Sequence, residues 1–487
     1  MTATPAHSFL ILLLLASPAC LLQSPALAQQ DLLQQSNAAL TDLQRFEEAL
    51  AEMEFEFGPF DPRLIEPLQS IEAIEAELGN FERVRELQMR RLQLLRTAEG
   101  LENINVIPVL EEIIATEKQL GSWEEITDHL DHIRTVIASN YGSDSPELLA
   151  AMDRQASWMQ SMVFLDRNGA RAGNFLDSRD LYEDMLDLAE NIYGEDSPLL
   201  IPWLYKRAYS IQQHVEFLNA GSSVTTDTVD RTLARDGPGR LMTASRGGVF
   251  APFSASGRLP VTQDGEPVGV AYLRQANGYI DEIRDIAEGQ GDWETWALAT
   301  IYHGDFSVLQ GRNIGRRDYL DARDKLLELG FDGERLERFF NKPMPIPLEN
   351  FYTRFADLEA YQLSMTGQLN LDVIDEEDLD DPWDEPVHVG VFTAWEEGLR
   401  STAKPTPLDS LLAVDLSYDQ VDLAFRVSGN GEVSGVDVLD ADGVPRRIRS
   451  RTVRAARELH FRPALYGERT RTRRHVQLRY RILMEED

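Results

Sequence analysis

From Asp31 to about Gln213 apolar side chains recur at helical spacing, broken at short intervals by Gly, Asn or Pro. Near the other end the period shortens. Val421, Leu423, Phe425 and Val427 alternate with polar or small residues, Gly429-Asn430-Gly431 marks a tight turn, and Val433, Val436 and Val438 continue a returning strand with a bulge. Ile448, Thr452, Ala455, Ala456 and Leu459 then share one helical face, and Val476, Leu478, Tyr480 and Ile482 alternate again. The pattern predicts a mostly α chain: a long helical array followed by a small α+β domain of order ββαβ.

The breaks in the array repeat. Phe57-Gly58-Pro59-Phe60-Asp61-Pro62, Tyr141-Gly142-Ser143-Asp144-Ser145-Pro146 and Tyr193-Gly194-Glu195-Asp196-Ser197-Pro198 share one order. An aromatic closes a helix, glycine suits a left-handed cap, Asp or Ser caps the next helix, and proline occupies its first turn. A second signature is expected at the turn inside each unit: Arg45-Phe46-Glu47, Asn80-Phe81-Glu82 after Gly79, and Ser122-Trp123-Glu124 after Gly121. Gly79 to Gly121 is 42 residues, Phe57 to Tyr141 is 84, and Tyr141 to Tyr193 is 52, which implies an insertion near Asp166 to Asn174. A period near 42 suits stacked helical hairpins, since one hairpin cannot bury its apolar face alone. The repeat signature Gly58, Pro62, Gly79, Phe81, Gly121, Trp123, Gly142, Pro146, Gly194 and Pro198 resembles a long-helix form of the tetratricopeptide repeat family over Asp31 to Asn219. Gly269 to Phe339 reads the same way: Ala297 to Phe306 has the small, aromatic, glycine, aromatic order of a first helix and turn, and Tyr319 to Leu329 supplies the second helix. The resemblance implies a surface that holds a peptide or protein; the array alone would equally serve as a spacer.

The predicted divisions are a signal peptide at 1–28, repeats at 29–219, an irregular Gly-, Ser- and Thr-rich insertion at 220–269, further repeats at 270–365, an acidic linker at 366–410 and the small domain at 411–487. Leu371 to Pro386 holds nine Asp or Glu and no basic residue, which argues for extended chain, and no Asp-x-Asp-x-Asp-Gly calcium loop occurs in it.

Phe425-Arg426-Val427, Gly431-Glu432-Val433, Val436-Asp437-Val438, Arg457-Glu458-Leu459 and Phe461-Arg462-Pro463-Ala464, in that order, resemble the C-terminal domain of TonB-like energy transducers. The resemblance covers Leu416 to Leu483 and implies the periplasm of a Gram-negative bacterium. A working transducer also needs a retained membrane helix and a proline-rich spacer, and here a helical array stands in the spacer's place.

Phe9 to Ala16 is an apolar core, and Ala26-Leu27-Ala28 is an A-x-A boundary, so cleavage is expected after Ala28. The run is too short for a stable membrane span of roughly 20 residues. Retention of this segment, giving inner-membrane anchoring, is the alternative. Cys20, the sole cysteine, would leave with it, so the mature chain would carry no thiol and no disulfide.

The net charge of −35 argues against a nucleic-acid partner, yet from Ala441 onward 13 Arg stand against 6 Asp or Glu. This basic patch either docks on the acidic body or clamps an anionic partner, or it covers a solvent face. Candidate binding residues are Arg462, Arg473 and Arg474, with Val476, Leu478 and Tyr480 on a last strand read as an edge open to a partner strand or to a homodimer. Seven histidines follow Ala28: His129, His132, His214, His303, His388, His460 and His475. Only His129 and His132 are close, on one helix face near Asp128 and Asp131; a surface pair is the simpler reading than a metal site. No His-Glu-x-x-His, Gly-x-Ser-x-Gly or phosphate loop occurs, so no catalytic residue, cofactor or metal is assigned. The expected role is a periplasmic adaptor binding an envelope protein or peptide without turnover. The alternatives are an anchored transducer or receptor-interacting protein, and an enzyme acting on an envelope substrate.

Overall fold

The computed structural model describes residues 25–165, 171–220, 268–311, 315–366, 383, 385–395 and 417–483. The apolar core of the expected signal peptide, nearly all of the 220–269 insertion and most of the acidic linker lie outside these residues. The chain divides into two units, Met1–Ala98 and Glu99–Asp487.

In the first unit α1 (Pro25–Phe57) packs on α2 (Ile65–Glu77), and α3 (Phe81–Glu99) follows. Arg45-Phe46-Glu47, read as a turn, lies inside α1, which runs without a break to Phe57. It ends there because Gly58 adopts φ +91°. The next helical turn starts at Pro62, where the Asp61 carboxylate accepts from Arg63 N (2.9 Å) and the Arg63 guanidinium lies 3.4 Å from the Phe57 ring centre. Leu50, Leu64, Leu68, Ile71, Leu87 and Leu94 form the core. Among them sits a buried ion pair, Glu72–Arg91, at 3.4 Å.

The second unit continues with α4 (Val106–Leu120), α5 (Trp123–Tyr141), α6 (Pro146–Leu165), α7 (Arg171–Tyr193), α8 (Ile201–Ala220), α9 (Val268–Gly289), α10 (Trp293–Leu309), α11 (Gly315–Glu328) and α12 (Gly333–Phe340). From α4 to α11 each helix packs on the next in sequence, and α8 meets α9 directly across the 221–267 interval. Helix ends follow a finer period than 42: Gly58, Gly79, Gly100, Gly121 and Gly142 all have positive φ and stand 21 residues apart, so each helix from α1 to α5, and not only each hairpin, has its own glycine stop. Tyr141 and Tyr193 are the last residues of α5 and α7, and the Ser145 and Ser197 hydroxyls accept from Leu148 N and Leu199 N at the following helix starts.

The turn expected at Gly304 is absent. Gly304 lies within α10, a helix buried almost all round, and the missing Cβ lets α11 cross close by. A Cβ there would stand 2.7 Å from the Tyr319 ring, and one on Gly315 would stand 2.7 Å from the Gly304 carbonyl. The real turn is Gly291-Asp292-Trp293-Glu294, with the Asp292 carboxylate accepting from Thr295 N (3.2 Å).

After α12 come β1 (Met344–Ile346), α13 (Phe355–Thr366), β2 (Val387–Trp395), β3 (Tyr418–Val427), β4 (Val433–Asp440), α14 (Arg446–Glu458), β5 (His460–Arg462), β6 (Leu465–Tyr466), β7 (Arg469–Thr470) and β8 (Arg473–Leu483). The main sheet has order β2-β8-β3-β4; β2 runs parallel to β8, and the other pairs are antiparallel. Val421, Leu423, Phe425, Val427, Val476, Leu478, Tyr480 and Ile482 form its core with Ile448, Ala455 and Ala456 of α14 and Met365 of α13. Gly431 is required at the β3–β4 turn: its φ is +81°, and a Cβ would lie 2.1 Å from the Phe461 carbonyl, whose own amide donates to Gly431 O (2.9 Å).

Two corrections follow from the sheet. Val387–Trp395 falls inside the stretch read as linker, yet it is a paired strand, because its own alternating residues seat against Met365 and β8 despite the acidic flank. The ββαβ order is likewise incomplete, since β2 joins ahead of it and β5, β6 and β7 intervene before β8. The protein is thus mostly helical with a smaller C-terminal region of strands and helices. Among the described residues no helix is long and apolar enough to cross a membrane.

Candidate functional site

The most unusual chemistry in the second unit lies where β5 meets α10. β5 pairs antiparallel with β1, which places Arg462 opposite Met344 and carries its side chain into the helical core. There the guanidinium grips the Asp305 carboxylate through two bonds, Nε to Oδ1 at 2.9 Å and Nη2 to Oδ2 at 2.6 Å. Tyr319 donates a third hydrogen bond to Asp305 Oδ1 (2.9 Å). Arg462 is 2% and Asp305 1% exposed, so the pair is fully removed from water. The Phe339 ring lies 5.8 Å from the guanidinium, and the Met344 sulfur accepts from Nη1 at 3.6 Å.

Burial raises the Asp305 pKa, while Arg462 and the Tyr319 hydroxyl act in the opposite direction. For Arg462 burial works to lower the pKa, but the charge and hydrogen bonds of Asp305 more than offset it, and the net shift is upward. The fork geometry is that of carboxylate and guanidinium. Burial pushes the Tyr205, Tyr302 and Tyr319 phenols well above their ordinary value, so all three stay neutral donors. Tyr302 donates to Asn350 O (2.8 Å) and accepts from Tyr352 N (3.2 Å), and Tyr205 donates to Leu348 O, so the segment after β1 is tied to α8 and α10. Every polar group in this cluster is engaged by another, so the cluster ties β5 to the helical core.

A second seat lies on the basic surface. The Trp383 indole donates to Thr472 O (3.0 Å), meets Tyr466 edge-on at 5.4 Å, and lies beneath Arg471 and Arg473 at 5.2 and 5.0 Å. Arg473 also donates to Glu385 O (2.9 Å). At these described residues the acidic segment is held through an indole and a backbone carbonyl.

The candidate binding residues therefore fall in unexpected places. Arg462 closes the lock, and Arg473 is buried against Trp383, whereas Arg474 is exposed. Val476, Leu478 and Tyr480 point into the sheet core, and their strand is central, with β2 on one side and β3 on the other; the outer strands are β2 and β4. His132 Nε2 lies 3.2 Å from Leu101 O. His214 is buried beside Ser178 (3.5 Å), its pKa well below ordinary through burial and through Arg207 and Arg179. His303 stands between Asp318 (Nδ1, 3.1 Å) and Asp281 (Nε2, 3.7 Å). Among the described residues no group of three or more His, Cys, Asp or Glu is placed to hold a metal. Sequence reasoning passed over Asp305 and Tyr319. The available signal was an acid in the otherwise apolar run Ala297 to Phe306, since a buried charge demands a partner.

No family model and no characterised protein sequence matches the chain. Among solved structures, a crystal structure of BtubC (BKLC) from P. vanneervenii aligns at 10% identity over 61% of this chain and 93% of that chain, with a TM-score of 0.24, too low to carry an argument.

Proposed function

We propose that the chain is a non-catalytic adaptor of the Gram-negative periplasm, exported by a signal peptide cleaved after Ala28. A tetratricopeptide-like array holds an envelope protein or peptide, and a TonB-like C-terminal domain makes the second contact. The observation that carries this reading is the Asp305–Arg462 lock, which fixes the C-terminal strands on a helix of the array and so favours two recognition surfaces held in one geometry. Because β8 is covered on both sides, the strand-pairing contact passes to β4, which among the described strands is bonded to β3 alone.

The test is photo-crosslinking in the native envelope from exposed positions on α4–α7 and on β4. One protein or peptide species captured at each surface, and lost when that surface is substituted, is the expected result. No capture at either surface, together with consumption of a cell-wall or small-molecule substrate by the intact chain, would replace the adaptor with an enzyme. N-terminal sequencing of the native protein should begin at Gln29.

A further inference from the structure

We propose that a cleft of about 270 Å³ between α10–α11 and the C-terminal strands binds a carboxylate end group, either the C-terminus of a peptide or a small organic acid. Its walls are built by close approach. A Cβ on Gly315 would collide with the Gly304 carbonyl, and one on Gly429 would lie 2.9 Å from the Thr470 hydroxyl, so both glycines draw backbone to the edge of the cleft. Val308 and Pro463 supply apolar lining, and Arg316, Asn430 and Thr470 supply the polar groups.

These three polar side chains make no hydrogen bond or ion pair with any described residue. Several neighbouring arginines are engaged: Arg323 donates to Gly467 O (2.6 Å), Arg317 lies 3.7 Å from Asp321, and Arg471 and Arg473 cover Trp383. Arg316 is the basic side chain among the cleft's described lining residues. It also sits in the first turn of α11, where a positive side chain opposes the helix dipole, so helix stability does not account for it. Asp318, the acid of that turn, is turned to His303.

The chemistry selects the ligand class. A guanidinium fork matches the two oxygens of a carboxylate, the Asn430 amide and Thr470 hydroxyl add neutral donors, and the apolar lining suits a short aliphatic group beside the acid. The volume lies just below the roughly 300–1,000 Å³ of sites that engulf drug-sized ligands, which suits a chain end. The peptide source rests on the adaptor reading; the carboxylate preference does not.

Equilibrium dialysis of the full-length protein with a pool of N-acetylated tetrapeptides, varied at the last position and bearing a free C-terminus, tests this against the same pool amidated. The free-acid pool should be retained and the amidated pool not. Arg316→Ala should weaken retention by about 10- to 100-fold, the loss expected for a charge-assisted hydrogen bond, with a smaller loss for Arg316→Lys, which keeps charge without the fork. Arg316 is exposed, so the variants should fold, and unchanged circular dichroism would verify it. Full displacement by N-acetylglycine would assign the site to small organic acids; resistance to it would assign the site to peptide ends. Equal retention of both pools, retention unaffected by Arg316→Ala, or displacement by inorganic phosphate but not by N-acetylglycine would overturn the proposal. Envelope partners captured by a protein that retains no acid would sink the cleft and leave the adaptor standing, and the converse result would do the reverse.

Discussion

Replacing Arg462 by Met should loosen the C-terminal strands from the helices far more than its single place in the sequence suggests. The substitution keeps an unbranched chain beside Phe339 but strands the Asp305 carboxylate at 1% exposure with one remaining donor, Tyr319. Breaking one side of a buried ion pair costs about 3–5 kcal/mol, because the surviving charge keeps its desolvation penalty and loses its compensation. At about 1.4 kcal/mol per factor of ten, local opening should become roughly two to three and a half orders of magnitude more frequent. Hydrogen exchange at the amides of β1, β5 and α10 in the full chain reads this directly, without assuming that a chain of two units melts in one step. Asp305→Asn with Arg462→Met should recover most of the loss, since no buried charge is left uncompensated. The pH dependence has a definite sign. Without Arg462, burial and the Asp318 charge act on Asp305 against one hydroxyl, its folded pKa lies further above the unfolded value, and the deficit should be small near the unfolded pKa and grow as pH rises through the folded one. Exchange at β1 and β5 within tenfold of the wild type, or a deficit that shrinks with rising pH, would refute the lock.

In the first unit, burial pushes the Glu72 pKa up to about 7, with Arg91 opposing, so stability is complete below the unfolded value near 4.3 and is lost as pH rises toward 7. Glu72→Gln should abolish that slope in the exchange of α2 and α3 amides after correction for intrinsic rates. Gly304→Val should cost about 1–3 kcal/mol by overpacking against Tyr319 and the Gly315 backbone, visible as a lowered urea midpoint for the second unit, whereas Gly173→Ala, which meets nothing within 4 Å, should leave that midpoint alone. His388 in β2 and His460 in β5 have pKa values lowered by burial, so both strands should keep their stability above about pH 6.5 and lose it as pH falls, measurable by exchange at β2 and β5. A fragment beginning at residue 411 lacks β2 and should associate through the exposed β8 edge in sedimentation, while one beginning at residue 385 should associate less.

The helical array was legible because its punctuation is local. A helix stop needs a left-handed residue at one position, and Gly58, Gly121 and Gly142 satisfy that need whatever packs around them. Gly304 misled for a related reason: a glycine kept for close helix crossing looks the same in sequence as one kept for positive φ, and only the partner, Gly315 with Tyr319, separates the two. Arg45-Phe46-Glu47 misled because an aromatic followed by an acid also fits a helix interior, and no glycine precedes it. The signal was nevertheless present elsewhere, since Gly291-Asp292-Trp293-Glu294 repeats the order of Gly121-Ser122-Trp123-Glu124.

The C-terminal misreadings share a cause that composition conceals. Arg462 and Asp305 are 157 residues apart, and a chain with 47 basic and 82 acidic residues offers too many pairings for charge alone to choose one. What selects this pair is burial, which turns an ordinary ion pair into one that cannot be half removed. β2 was concealed in the same way. Its nine acidic neighbours at 371–386 suggested extended chain, while Val387 and Val389, two apart and both buried, carried the strand signal within the stretch assigned to the linker. Parallel pairing with β8 brings together residues about ninety positions apart, Val387 with Val476, so no local turn announces it. Once β2 covers that side of β8, the edge assigned to Val476, Leu478 and Tyr480 no longer exists, and the adaptor proposed above would have to use other surfaces. Among the described residues two such surfaces are the β4 edge, which lies within the C-terminal sequence motif, and the cleft at Arg316, which α10–α11 and the C-terminal strands wall together.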